Sequence, residues 1–328
     1  MSQSQNPWGV GARTVRPDAE SKVTGEARYL ADIPVGHMLH AAICGSPIAS
    51  GDVKSIDTSS AAAHPDVVAV LTAKDLGDRN RIGGIFDDQP VLVDKRVRMV
   101  GDRLAVVAAR TQEAAHAAVK KIELDLQESP GLYDVEQALS KSAPKVHPKG
   151  NLIKEFKLKR GDLAQGKKEA SIKVSHTYRI GGQEHAYLEG QACLVVPGPG
   201  PTLEVYISTQ CPAYVRARVS RVTGIQHAGI RVIQTVTGGG FGGKEDYPDE
   251  PACCAALLAL KTGRPVRLLL PREEDFQVST KRHRMVIRNT LHARDDGVIT
   301  AAEVEILVDA GGYTGMSTIV AERSNVSC

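Results

Sequence analysis

The sequence predicts an α+β protein with mixed sheets, and three observations carry this. DVVAVLTA (66–73) and RLAVVAAR (103–110) are short Val-rich runs that read as strands. TQEAAHAAVKKIELDL (111–126) opens on Thr111 as an N-cap, continues as an Ala-rich helix, and passes into the alternation of a strand. With the run before it, this gives strand–helix–strand, a mixed α/β unit. Two long alternating runs, 284–294 and 298–309, flank Asp295-Asp296-Gly297 and predict a hairpin.

The remaining elements follow in order. Residues 1–15 read as a flexible arm, and the α/β unit occupies 16–139. SKSAPKVHPKGN (140–151), with two prolines and a glycine, reads as a linker and marks a domain boundary. Beyond it, over 152–328, strand-like runs lie at 152–160, 172–180, 191–197 and 202–209. A helix over 212–224 is closed by Gly224, and a strand over 229–237 delivers a glycine-rich loop. A helix over 250–265 has Gly263 as its stop and Pro265 beyond it, and VRLLLP (266–271) follows as a buried strand.

Composition sets the outer limits. The 328 residues are 42% hydrophobic and 24% charged, a soluble globular balance with room for two or three domains. Aromatics make up 4%, with Trp8 the single Trp, so the core must be mostly aliphatic. A net charge of +3 without a long Lys/Arg run gives no case for nucleic acid as a partner. No apolar run approaches the ~20 residues of a membrane span, and the N-terminus has no signal-peptide core. The six cysteines form no CxxC pair, which points to a reducing cytoplasm and leaves no set for an iron–sulfur cluster.

TVTGGGFGGKED (235–246) is the chemically loaded stretch. Gly238, Gly240 and Gly243 fit the dinucleotide pattern G-x-G-x-x-G, and Gly243-Lys244 resembles the end of a P-loop. A dinucleotide turn must open directly into a helix whose N-terminus faces the pyrophosphate. Here Pro248 and Pro251 delay the helix to near Pro248, and Glu245, Asp246 and Asp249 would face an anionic ligand. A P-loop needs Ser or Thr after its lysine, but Lys244 is followed by Glu245. A nucleotide-binding module is disfavoured on these counts. Since a bare turn needs one or two glycines, five suggest that something bulky approaches the backbone closely. Lys244, with no phosphate to grip, is expected to be less sensitive to alanine than Gly242 is to valine.

RIGGQEHAYLEGQ (179–191) ends a strand on Gly181-Gly182 and continues with Gln183, Glu184 and His185. Together with the glycine loop, with RPDAESKVTGEARYLADI (16–33), and with GSPIASGDVKSIDTSSAAAHPDVVAVLTAKDL (45–76), it resembles the molybdenum-binding large subunit of the xanthine dehydrogenase / aldehyde oxidase / 4-hydroxybenzoyl-CoA reductase family. The resemblance implies an α/β hammerhead domain over 16–139 and the first part of a molybdopterin-binding domain over 152–328. It implies a molybdenum–molybdopterin cofactor in its cytosine dinucleotide form, with no protein side chain ligating the metal. Gly240, Phe241, Gly242 and Gly243 would line that cofactor, with Phe241–Gly242 beside the apical oxo group. Gln183 would turn its amide towards the metal's oxygens, and Glu245 would stand on the substrate side. Hydroxylation of an aldehyde or N-heterocycle with water as oxygen source follows, or the related reductive reaction. A 2Fe-2S subunit and an FAD subunit are the implied partners.

The chain also departs from that family. Neither the Arg-Gly-Phe-Gly motif nor the Gly-Val-Gly-Glu setting of the general base occurs in it, so the base is absent and the site is half built. The expectation is a chain inactive by itself, completed by a further chain that supplies the C-terminal half. The alternatives are a truncated, non-catalytic remnant acting only through protein contacts, or a sequence that is a fragment of a longer chain.

Overall fold

A computed structural model describes residues 9–326. Trp8, Cys328 and residues 1–8 of the expected arm lie outside them; residues 9–15 form neither helix nor strand. The strands are β1 (Leu39–Gly45), β2 (Gly51–Asp57), β3 (Val67–Thr72), β4 (Arg96–Val97), β5 (Arg103–Ala109), β6 (Glu123–Glu128) and β7 (Ile172–Ile180). They continue as β8 (Ala192–Pro197), β9 (Leu203–Ile207), β10 (Ile230–Gln234), β11 (Val266–Leu269), β12 (Met285–Ala293) and β13 (Ile299–Val308). Seven form the main sheet, in the order β10-β9-β8-β11-β1-β5-β3, and two three-stranded sheets run β13-β12-β7 and β4-β2-β6. Mixed sheets with helices are the α+β architecture that the sequence predicts.

The main sheet draws strands from both sides of 140–151. They meet where β1 runs parallel to β11, with Leu39 opposite Val266 and Ala41 opposite Leu268. β5 is buried along its whole length between β1 and β3, which is why it reads as an unbroken apolar run. The helix Asp249–Thr262 packs on β8, β11 and β3, and Ala252–Ala256, including Cys253 and Cys254, are fully buried. Buried from Asp249 to Ala256, the helix shows no exposed polar stripe there, and its small residues let the sheet and the helix Pro212–Thr223 approach closely.

The helix ends follow local chemistry. The Thr111 hydroxyl accepts from the Ala114 N–H at 3.1 Å and caps Gln112–Val119. Gly224 and Gly263 close their helices in the left-handed conformation, at φ 76° and 64°. β12 and β13 pair antiparallel around Asp295-Asp296-Gly297. One expectation fails: 152–160 forms no strand. LIKEFKLKR alternates as a strand should, but no neighbouring backbone completes a ladder with it, and the segment stays largely exposed. No helix among the described residues is long and apolar enough to cross a membrane.

Candidate functional site

Strand directions bring four loops to one end of the main sheet. β9 and β10 are parallel, with Ile207 opposite Gln234, so 208–211 and the glycine loop leave together. β8 is antiparallel to both β9 and β11, with Cys193 opposite Ile207 and Ala192 opposite Leu269. Its approach, 183–191, and the segment after β11 therefore arrive at the same edge. Loops at the carboxyl ends of neighbouring strands are where α/β sheets bind ligands.

The glycine loop is held from inside. Gln210 Oε1 accepts from the Gly242 N–H at 3.0 Å and the Lys244 N–H at 3.3 Å, while Gln210 N–H donates to Lys244 O at 2.7 Å. Gln191 Nε2 donates to Gly243 O at 2.9 Å and to the Tyr187 hydroxyl at 2.7 Å. The Tyr187 hydroxyl in turn donates to Asp275 Oδ1 at 2.9 Å. Burial pushes the Tyr187 hydroxyl and the Asp275 carboxyl above their ordinary values, so the tyrosine stays a neutral donor.

Lys244 differs from the sequence expectation. It is fully buried, and its Nζ reaches Glu189 Oε2 at 3.0 Å and Ser208 Oγ at 2.9 Å, 4.8 Å from the centroid of the Tyr187 ring. Burial lowers its pKa while Glu189 holds it up. An ammonium turned inward cannot grip a phosphate, and its removal would leave Glu189 short of a partner. A mild effect of alanine is therefore not expected at Lys244, and the P-loop reading loses its lysine.

The glycines answer to different constraints. A Cβ on Gly238 would lie 2.5 Å from Glu189 Cβ, on Gly240 2.6 Å from Gln210 Oε1, and on Gly243 2.7 Å from the Tyr187 ring. Much of the glycine run thus makes room for the protein's own side chains. Within the loop, Gly242 alone pairs a positive φ of 98° with open space, its Cβ meeting nothing nearer than His185 Nε2 at 3.5 Å. Phe241 is also left-handed, at φ 55°, and the residue is 77% exposed. No acceptor among the described residues meets the Phe241 N–H. A left-handed, exposed residue whose N–H has no acceptor among the described residues leaves a backbone donor unused, the feature an oxyanion or oxo group requires.

The two stretches singled out in the sequence do meet, through His185 and Tyr187 against Gly242 and Gly243. Gln183 is less engaged. Its backbone bridges Arg282, and its amide donates to Glu184 O at 3.2 Å; among the described residues no hydrogen bond joins it to the glycine loop. Glu245 is half-buried and makes no hydrogen bond or ion pair among the described residues. Sequence reasoning missed Gln210, Glu189, Gln191 and Asp275. Glu189 and Gln191 stand in the quoted stretch 179–191; Gln210 and Asp275 carry no motif and are found only through strand order.

Residues 146–328 match the family model described as molybdopterin cofactor-binding domain. Residues 24–130 match the model for the aldehyde oxidase and xanthine dehydrogenase a/b hammerhead domain. The chain is 35% identical to the nicotinate dehydrogenase large molybdopterin subunit of Eubacterium barkeri, over 97% of this chain and 75% of that one. It is 34% identical to the xanthine dehydrogenase/oxidase of Mus musculus, over 93% of this chain and 22% of that one. Among solved structures, the aldehyde oxidoreductase of Desulfovibrio gigas superposes with a TM-score of 0.87 at 28% identity, covering 94% of this chain and 35% of that one.

Proposed function

The chain belongs to the aldehyde oxidase and xanthine dehydrogenase family of molybdopterin-binding proteins, and from this we propose that its loops 183–187 and 238–245 form one wall of a molybdenum–molybdopterin site in an oxidoreductase. The observation that carries the reading is the outward-turned Phe241–Gly242 corner, clamped from inside by Gln210 and Gln191. A rigid corner with a free N–H places a donor without reorganisation. The Phe241 N–H and the Gln183 amide would hold the cofactor's oxygens, and Glu245 would accept from a substrate. When bound, the group supplies two-electron chemistry at an electron-poor carbon, with water as oxygen source in the hydroxylating direction.

The finer assignments belong to the same reading: an aldehyde or N-heterocycle as substrate, the cytosine dinucleotide form of the cofactor, 2Fe-2S and FAD on partner subunits, and a cytoplasmic setting. The Gly-Val-Gly-Glu setting of the general base does not occur in residues 1–328, and none of them is assigned that role. A covering partner chain is supported by the bare face of the β7–β12–β13 sheet. There Val174, Tyr178 and Val304 share one face and are 60%, 51% and 53% exposed. The test is molybdenum and pterin analysis of the complex purified from its own source. Near-stoichiometric amounts of both are expected; the absence of both would overturn the reading in favour of a non-catalytic remnant.

A further inference from the structure

Glu189 Oε2 accepts three hydrogen bonds: from Ser208 Oγ at 2.6 Å, the Gly238 N–H at 2.8 Å and Lys244 Nζ at 3.0 Å. Gly238 opens the glycine loop and Lys244 closes it. One carboxylate oxygen therefore ties both ends of the loop together, and the Glu189 N–H, donating to Gly238 O at 3.1 Å, doubles the tie at the entrance. Between the ends, Gln210 and Gln191 hold Gly242 and Gly243 from inside while Phe241 stays exposed.

We propose that Lys244 and Glu189 are positioning residues, a buried latch that sets where the Phe241–Gly242 corner stands and so governs retention of the cofactor. The proposal rests on the molybdopterin reading above. It differs from a role in general stability because it predicts local loosening. Ser208 follows β9 and is fully buried, so the latch is anchored to the sheet and only the loop hangs from it. A charge-assisted bond inside a protein is stronger than a neutral one, and removing one partner strands the other.

The test compares Lys244→Met, Glu189→Gln and a core control, Leu258→Ala, by hydrogen exchange on the full chain. Loss of a charged hydrogen bond should speed exchange at Gly238 and over 242–244 by about ten- to a hundredfold. The β9 amides should keep their protection, whereas Leu258→Ala should raise exchange throughout the main sheet. Glu189→Gln keeps an acceptor for Gly238 and Ser208, so it reports on the charge even if Lys244→Met fails to fold. The assembled complex carrying either latch variant should also lose molybdenum. Unchanged loop exchange, exchange that rises evenly with the core, or faster exchange with full molybdenum would each overturn the proposal. A wild-type complex without molybdenum overturns the functional reading instead, and the exchange arm still decides the latch.

Discussion

Gly242 and Gly243 are neighbours of one residue type, yet alanine should act on them by different means. At Gly242 the added methyl meets only His185 Nε2 at 3.5 Å, an ordinary contact, so the cost is the backbone alone. Holding an L-residue at a φ of 98° costs roughly 1–2 kcal/mol. At Gly243 no positive φ is involved, but the methyl would stand 2.7 Å from Tyr187 Cε1 and 2.8 Å from His185 Nδ1. Tyr187 cannot swing aside, because its hydroxyl is bound to Asp275 and Gln191 and the residue is 1% exposed. Overpacking costs about 1–3 kcal/mol, and disturbing the buried tyrosine bond adds about 1 kcal/mol, so Gly243→Ala should cost about 2–4 kcal/mol. Urea denaturation of the full chain measures both. Molybdenum retention in the assembled complex should invert the order of concern. Gly242→Val, which fills the open side of the corner, should lose the metal while the fold persists. Equal stability losses for the two alanines, or the larger loss at Gly242, would refute the reasoning.

Three further outcomes follow from the same contacts. Burial pushes the Glu250 carboxyl up from 4.5 to about 7. Between these values the folded chain holds more of this proton than the unfolded chain, although the Arg103 guanidinium paired with Glu250 opposes it, so stability falls as pH rises through that window. Glu250→Gln should flatten that dependence, read as urea midpoints across the window; an unchanged slope would count against it. Thr111→Ala should cost about 1 kcal/mol by removing the cap on Ala114 N–H, measured as a shift in the urea midpoint. Leu258→Ala, at a fully buried position of the central helix, should cost about 2–5 kcal/mol by the same measure.

Much of the fold is legible where local chemistry decides it. Thr111 caps because its hydroxyl reaches an amide three residues away; Gly224 and Gly263 stop helices because a left-handed residue ends the hydrogen-bond ladder. The glycine loop is legible because its density exceeds what a turn requires. The illegible parts depend on partners distant in sequence. LIKEFKLKR has a strand's alternation but no strand beside it. Lys244 reads as a loop lysine until strand order puts Glu189 and Ser208 beneath it. Gln210 reads as an ordinary polar residue after a strand, yet the parallel pairing of β9 with β10 makes it the acceptor for two loop amides.

The glycine run therefore meets two demands that its composition cannot separate. Gly238, Gly240 and Gly243 are small because Glu189, Gln210 and Tyr187 press against them from within. Those contacts belong to folding and should be sensed by stability. Gly242 is glycine because of its backbone angle, and its outer side is open. In the proposed molybdopterin reading that position faces the cofactor, and it should be sensed by binding. Strain at Phe241 can persist because the inner contacts over-determine the loop: the latch ties its ends, and Gln210 and Gln191 fix its far side. The stability of the scaffold thus offsets the cost of an exposed, left-handed phenylalanine. Loosening the inner set should relax the corner before it unfolds the sheet.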